Sequence, residues 1–203
     1  LTIAHYYTPS GRCIQKPYKK GEALDYAMDI EKRFEHGELY SADSIHFADS
    51  LKYKTLRKQR VVYGGGGIMP DYFVPLDTTQ YTRFHRQLAA RSYIINANLK
   101  YIDVNRKQLR NRFATFTDFN ARYEVPESFV NDVLEAAAKD NIKPKDEQEL
   151  QQTLPRLRLQ LKALVARDLW DMSEYFQVIN EENPIVRRAV ELFEQAESNH
   201  QNA

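Results

Sequence analysis

Every glycine in this chain lies in its first third. The seven stand at positions 11, 21, 37, 64, 65, 66 and 67, and the rest of the 203-residue sequence contains none. Glycine is the usual residue where the backbone needs positive φ, at tight turns and helix C-caps. A long stretch without it must close its elements with Asn, Pro and polar residues, which suits helices. The distribution therefore predicts two unlike parts: a turn-rich, strand-containing first part and a helical second part.

In the first part, "LTIAHYYT" (1–8) mixes β-branched and aromatic residues in period-two alternation and predicts a strand. "TPSG" (8–11) supplies turn chemistry. Residues 53–55 and 60–63 predict short strands, and "YFVP" (72–75) another. A charged excursion lies between Lys16 and about Lys52. Within it "EALDYAMDIEKRFEHG" reads as a helix stopped at Gly37, and "ELYSADSIHFADS" has no clear pattern. The opening "LTIAHYY" reads as a strand entered midway, so the chain is expected to be a piece of a longer protein, with any targeting segment outside it.

In the second part, Asp77, Thr78 and Thr79 offer N-caps to a helical run reaching Phe113. Pro126 suits a first helical turn, and Phe129, Val130, Val133, Leu134 and Ala137 follow as one stripe. "NIKPKDEQ" (141–148) reads as a linker. Thr153 and Pro155 start or restart a helix whose face carries Leu157, Leu161, Leu164, Val165 and Leu169. Pro184 opens the last helix, with Ile185, Val186, Ala189, Val190 and Phe193 on one side.

The glycine run in "VVYGGGGIMPDYFVP" (61–75) is not a phosphate loop. Such a loop needs a lysine and a hydroxyl right after its glycines, opening a helix. Here Ile68, Met69, Pro70 and Asp71 follow, and proline after an apolar pair favours extended chain. A dinucleotide fingerprint is absent too. Apolar residues on both sides argue against a flexible linker. The run reads as a close backbone passage between strands, where side chains would not fit.

Net charge is +1, with charges of both signs mixed along the chain and no polybasic or acidic block, which points away from nucleic acid and anionic membranes. One cysteine, Cys13, excludes an intrachain disulfide and a multi-cysteine zinc site. The histidines at 5, 36, 46, 85 and 200 lack H-x-x-x-H spacing, so no metal or cofactor is expected. "YTRFHRQ" (81–87) interleaves aromatic and basic residues, yet its helical period reads as a core face and a solvated face. Trp170 reads as a core aromatic at a helix end.

"YYTPSGRCIQ" (6–15) followed by "VYGGGGIMPDYFVP" (62–75) resembles the carboxy-terminal processing peptidases, also called tail-specific serine peptidases. Members show a strand, a T-P-x-G-R-x-I-Q turn, then a G-I-x-P-D strand closing the peptidase core. The helical tail, including "LKALVARDLWD" (161–171), is similar to the appendage of a bacterial, Bacteroidetes-type branch. The resemblance implies an α/β plus all-α fold. Residues 1–77 would be the closing strands of a peptidase-core sheet, with an insertion at about 17–60. Residues 78–203 would be a helical C-terminal appendage.

The family's chemistry is serine attack with a lysine as general base, its pKa lowered by desolvation. Both residues precede the "LTIAHYYTPSG" strand in the family, as does the PDZ domain that captures a substrate's C-terminal tail as an added strand. The resemblance thus implies a serine endopeptidase whose dyad lies upstream, and no catalytic, cofactor-binding or metal residue in this chain. Its partners would be proteins with accessible C-terminal tails, in the periplasm or cell envelope of a Gram-negative bacterium, with self-association through the helical region. Possible substitutes do not make a site by sequence. Ser10 and Lys16 sit in a solvated basic turn, His46, Asp49 and Ser50 are mere chain neighbours, and Cys13 lacks a His/Asn constellation. The competing class is a non-catalytic helical interaction or dimerisation module, for which the two strand blocks are coincidence.

Overall fold

The computed structural model describes residues 4–201. The chain forms two compact units, Leu1–Asp77 and Thr78–Ala203. The outcome is a helical domain and another unit that, among the described residues, holds one small sheet.

In the first unit, two short helices, α1 (Ala23–Ala27) and α2 (Asp29–Glu35), replace the single helix expected over 22–37. The chain turns at Met28, and neither helix has a side-chain N-cap. Gly37 ends the pair at φ 78°, as its position suggests. The unpatterned segment after it forms two 3₁₀ turns, Ala42–Ser44 and Asp49–Leu51. The sheet is one antiparallel pair, β1 (Lys52–Lys54) and β2 (Val61–Tyr63), with Tyr53 opposite Val62. Residues 52–54, inside the stretch read from sequence as an insertion, are thus the hairpin partner of 61–63.

Two expected strands do not form. Of residues 1–8, the first three lie outside the described residues, and the rest contribute one bridge, Tyr7 to Cys13. That bridge closes the "TPSG" turn, in which Gly11 N–H donates to Thr8 O and Thr8 N–H to Arg12 O. Residues 72–75 run without strand partners, and the chain is caught again where Leu76 N–H donates to Leu39 O at 2.8 Å. Alternating apolar residues favour a strand only where a sheet edge is offered, and among the described residues only β1 and β2 make one.

The second unit holds α3 (Arg83–Ala90), α4 (Tyr93–Arg112), α5 (Phe116–Arg122), α6 (Glu127–Lys139), α7 (Glu147–Leu169), α8 (Met172–Asn180) and α9 (Pro184–Gln201). The helical run expected from residue 80 is split at Ser92, which adopts φ 62°. Asn141 does the same at φ 58° after α6. These two polar residues take the left-handed role that glycine fills elsewhere. The first cap is Thr82, whose hydroxyl accepts from His85 N–H; residues 78–80 form a 3₁₀ turn ahead of it.

The expected linker at 141–148 is no linker. Ile142 is buried in the core and Asp146 caps α7 by accepting from Glu149 N–H at 2.8 Å. With that cap in place α7 starts at Glu147, and Pro155 lies inside it rather than at its start. Phe129, Val130, Val133 and Ala137 of α6 and Leu157, Leu161, Leu164, Val165 and Leu169 of α7 are buried as their spacing requires. Phe113, Phe119 and Tyr123 pack edge-to-face and stacked beneath Trp170, whose ring lies 5.3 Å from that of Phe119.

Candidate functional site

Among the described residues, the site candidates raised by sequence stay apart from any catalytic arrangement. The Ser10 hydroxyl lies 2.9 Å from Thr8 Oγ1, inside its own turn. Lys16 Nζ lies 2.6 Å from an Asp29 carboxylate oxygen, in an ion pair with that residue. Asp49 pairs with Lys52 at 2.6 Å, which lowers the carboxyl pKa, and no hydrogen bond joins it to His46 or Ser50. Cys13 Sγ stands 4.0 Å from Nδ1 of an exposed His5, with no third described side chain orienting the imidazole. His36 and His46 are exposed, and the His200 side chain lies outside those described. No group of three or more His, Cys, Asp or Glu able to hold a metal occurs among the described residues.

One site emerges that sequence did not single out. Thr82 starts α3 and its hydroxyl accepts from His85 N–H at 3.0 Å. Thr153 Oγ1 donates to Glu149 O at 2.7 Å, so Thr82 Oγ1 is the donor in the 2.6 Å contact between the two threonines. The Glu149 carboxylate accepts from Lys145 N–H at 2.6 Å and from Phe84 N–H at 3.0 Å. These bonds hold it below the usual carboxylate pKa and tie the first turn of α3 to α7.

The tie fixes His85 at the wall of a cleft of about 480 Å³ between α3, α7 and α8. His85 is only 3% exposed. Burial lowers the imidazole pKa; the neighbouring Gln160 amide pulls the other way, and the Arg156 charge lowers it further. The ring is therefore neutral at neutral pH. His85 Nε2 and Gln160 Oε1 are both buried and neither makes a well-aligned hydrogen bond, although the Gln160 amide lies close enough to the imidazole to act on it. Tyr81 tilts over the imidazole with ring centres 5.0 Å apart, and the Arg156 guanidinium lies 5.8 Å from the Tyr81 ring centre. Tyr175, Leu159 and Ile179 complete the wall.

The cleft is walled by aromatic and aliphatic side chains, with His85 and Gln160 as its buried polar groups and the Arg156 guanidinium as a charge on its wall. His85 sits between Phe84 and Leu88 on the buried face of α3, where a histidine without a partner costs stability. In "YTRFHRQ", Phe84 and His85 are buried while Arg83 and Arg86 face solvent, the two-faced helix its period suggested.

Residues 84–171 match a family of unknown function (DUF8443). The match spans α3 to the end of α7 and contains His85, Arg156 and Gln160. No curated protein matches the chain, and no solved structure does.

Proposed function

We propose that this chain is the C-terminal portion of a serine endopeptidase of the carboxy-terminal processing type. The observation that carries the reading is the state of the first unit. None of its described hydrophobic side chains is buried, while Tyr6, Tyr7, Ile14, Ile68 and Tyr72 of the two motif blocks are all exposed. A unit of this size that stood alone would bury a core and would not leave such side chains to water. Strands that close a larger sheet expose them until that sheet is present.

The contacts between the two blocks support the same reading. Gly65 N–H donates to Cys13 O at 2.9 Å, and Gly67 N–H to Ile14 O at 2.8 Å. Arg12 Nη1 reaches Tyr63 O at 3.3 Å. These are single bonds across a glycine passage, short of the continuous ladder the resemblance implies. Under this reading the upstream core supplies the serine and a desolvated lysine. The serine attacks the scissile carbonyl as the lysine takes its proton, the C–N bond breaks as that proton passes to the departing amine, and water then releases the acyl group. Substrates are proteins with accessible C-terminal tails, in the periplasm or cell envelope. No helix among the described residues is long and apolar enough to cross a membrane.

A second reading, a helical interaction module without catalysis, is favoured by the closed core of the second unit and its His85 cleft. Hydrolysis of an unstructured peptide by the longer polypeptide, beside this chain and with a serine-hydrolase probe, separates the two. The peptidase reading requires cleavage and labelling by the longer polypeptide and neither by this chain. An inert longer polypeptide leaves the binding reading alone.

A further inference from the structure

The last helix, α9, bares an apolar side: among its described residues none is buried, and Ile185 and Phe193 stand 59% and 72% exposed. Such a face does not say what covers it. The His85 cleft differs, because its walls carry chemistry that selects a ligand.

The polar end of the cleft is built by α3 and α7. His85 is almost wholly buried, and its Nε2 makes no well-aligned hydrogen bond. The Gln160 amide oxygen near it is in the same state. Buried polar atoms left so cost stability, and a bound group that completes them recovers it. The charged residues among those lining the cleft are Arg86 and Arg156, both cations. Arg86 Nη1 donates to Tyr81 O at 3.0 Å, which holds that side chain beside the cleft. Arg156 Nη2 donates to Gln80 Oε1 at 3.2 Å, and its Nη1 lies 3.4 Å from an exposed Glu182 carboxylate. A guanidinium carries more N–H donors than these two contacts use. So long and exposed an ion pair is worth little, and it does not hold Arg156 against a better-placed carboxylate. The remaining wall is apolar, from Tyr81, Leu159, Tyr175 and Ile179.

We propose that this cleft binds a small organic monoanion, a carboxylate carried on an aromatic or branched aliphatic body. The planar carboxylate matches the fork of Arg156, and His85 Nε2–H donates to one of its oxygens. The body lies against the tyrosine rings and the aliphatic side chains, in a volume of about 480 Å³ that suits a small molecule. A phosphate dianion fits less well, since it would shed its hydration against a largely apolar wall. A cation would face the two arginines. The cleft lies wholly within the second unit, so its ligand is independent of the peptidase core expected upstream. Two sources present this chemistry: a free carboxylic acid and the last residue of a peptide chain.

NMR titration of the 203-residue chain, read at the assigned ring resonances of His85, tests this. The probes are 3-phenylpropionate, its uncharged amide, and an acetylated peptide ending in phenylalanine with either a free carboxylate or a terminal amide. Phenylpropionate should shift the His85 ring saturably, with a Kd of about 1 mM or tighter. Its amide should bind roughly tenfold more weakly or worse, and so should phenylpropionate to Arg156→Gln. Ala89 is exposed and lines the cleft. Ala89→Phe fills the space, keeps every charge, and should abolish binding without loss of helical circular dichroism. Tighter binding of the free-carboxylate peptide than of phenylpropionate assigns the cleft to chain ends. Binding of phenylpropionate alone assigns it to a free acid. The absence of a saturable shift at His85 with both carboxylate probes, equal affinity for acid and amide, or undiminished binding to a folded Ala89→Phe chain each overturns the proposal.

Discussion

The Asn98 side-chain amide on α4 donates to the Asp168 carboxylate on α7 at 2.6 Å, joining residues 70 positions apart inside the helical core. Asn98 is fully buried. Asp168 also accepts from Arg167 at 2.9 Å, while Arg106 and Arg110 of α4 donate to the last carbonyls of α7, those of Asp168 and Leu169. The end of α7 is thus capped by a neighbouring helix, cations meeting its negative dipole.

Asn98→Ala should lower stability by about 1–3 kcal/mol, because it strips a donor from a nearly buried carboxylate. Asn98→Asp should be worse at neutral pH, with two carboxylates sharing one site, and should recover in part as the solution is acidified. Urea unfolding of both variants at two pH values checks the order. A wild-type midpoint in Asn98→Ala would mean that Arg167 alone satisfies Asp168.

His85 should make folding pH-dependent. Its pKa in the fold lies below the ordinary 6.5, so the unfolded chain takes up the proton first as pH falls. The contribution is complete above the unfolded value and is lost as pH drops through and below it. His85→Gln should remove that part of the slope. Comparing urea midpoints at pH about 7.5 and about 5 in both chains measures it. A His85 ring that titrates at its ordinary value by NMR would defeat the expectation.

Pro155 sits inside α7 and is exposed. Its nitrogen cannot donate to the carbonyl of Gln151, one turn back, and its ring crowds that turn. Pro155→Ala should therefore stabilise the second unit by about 1–3 kcal/mol, read as a higher thermal midpoint. A lower midpoint would show that α7 needs the bend that proline imposes.

The helical half was legible because helix signals are local. Stripes at 129–137 and 157–169 needed only the 3.6-residue period, and both are buried. What failed depended on partners beyond the local pattern. Residues 4–8 and 72–75 carry strand-like residues but find no sheet edge among the described residues. The α9 stripe has the same periodicity as the buried ones, and periodicity does not say what covers a face. Asp146 was overlooked as a cap because Lys143 to Gln148 are polar but for Pro144, like a linker, while the anchor is the single Ile142. The His85 cleft needs three helices assembled, and no spacing along one of them reports it.

The glycine run separates into positions that need glycine and one that does not. A Cβ on Gly64 would stand 2.9 Å from Cys13 O and 3.0 Å from the Tyr53 ring, so the passage between β2 and the first motif block is closed to a side chain. Gly65 and Gly67 take φ 83° and 109°. Gly66 has no such φ and faces open space. Gly64→Ala should cost about 1–3 kcal/mol of local stability, since backbone must move to admit it. Gly66→Ala should be neutral or slightly stabilising, by about 0.4–1 kcal/mol through the unfolded chain. Hydrogen exchange at the Gly65 and Gly67 amides, which donate to Cys13 O and Ile14 O, reads both. Faster exchange is expected in Gly64→Ala and no change in Gly66→Ala. Equal protection in the two would mean that the close approach of the motif blocks does not hold in solution, and the peptidase reading would then lose the contact between the blocks that supports it.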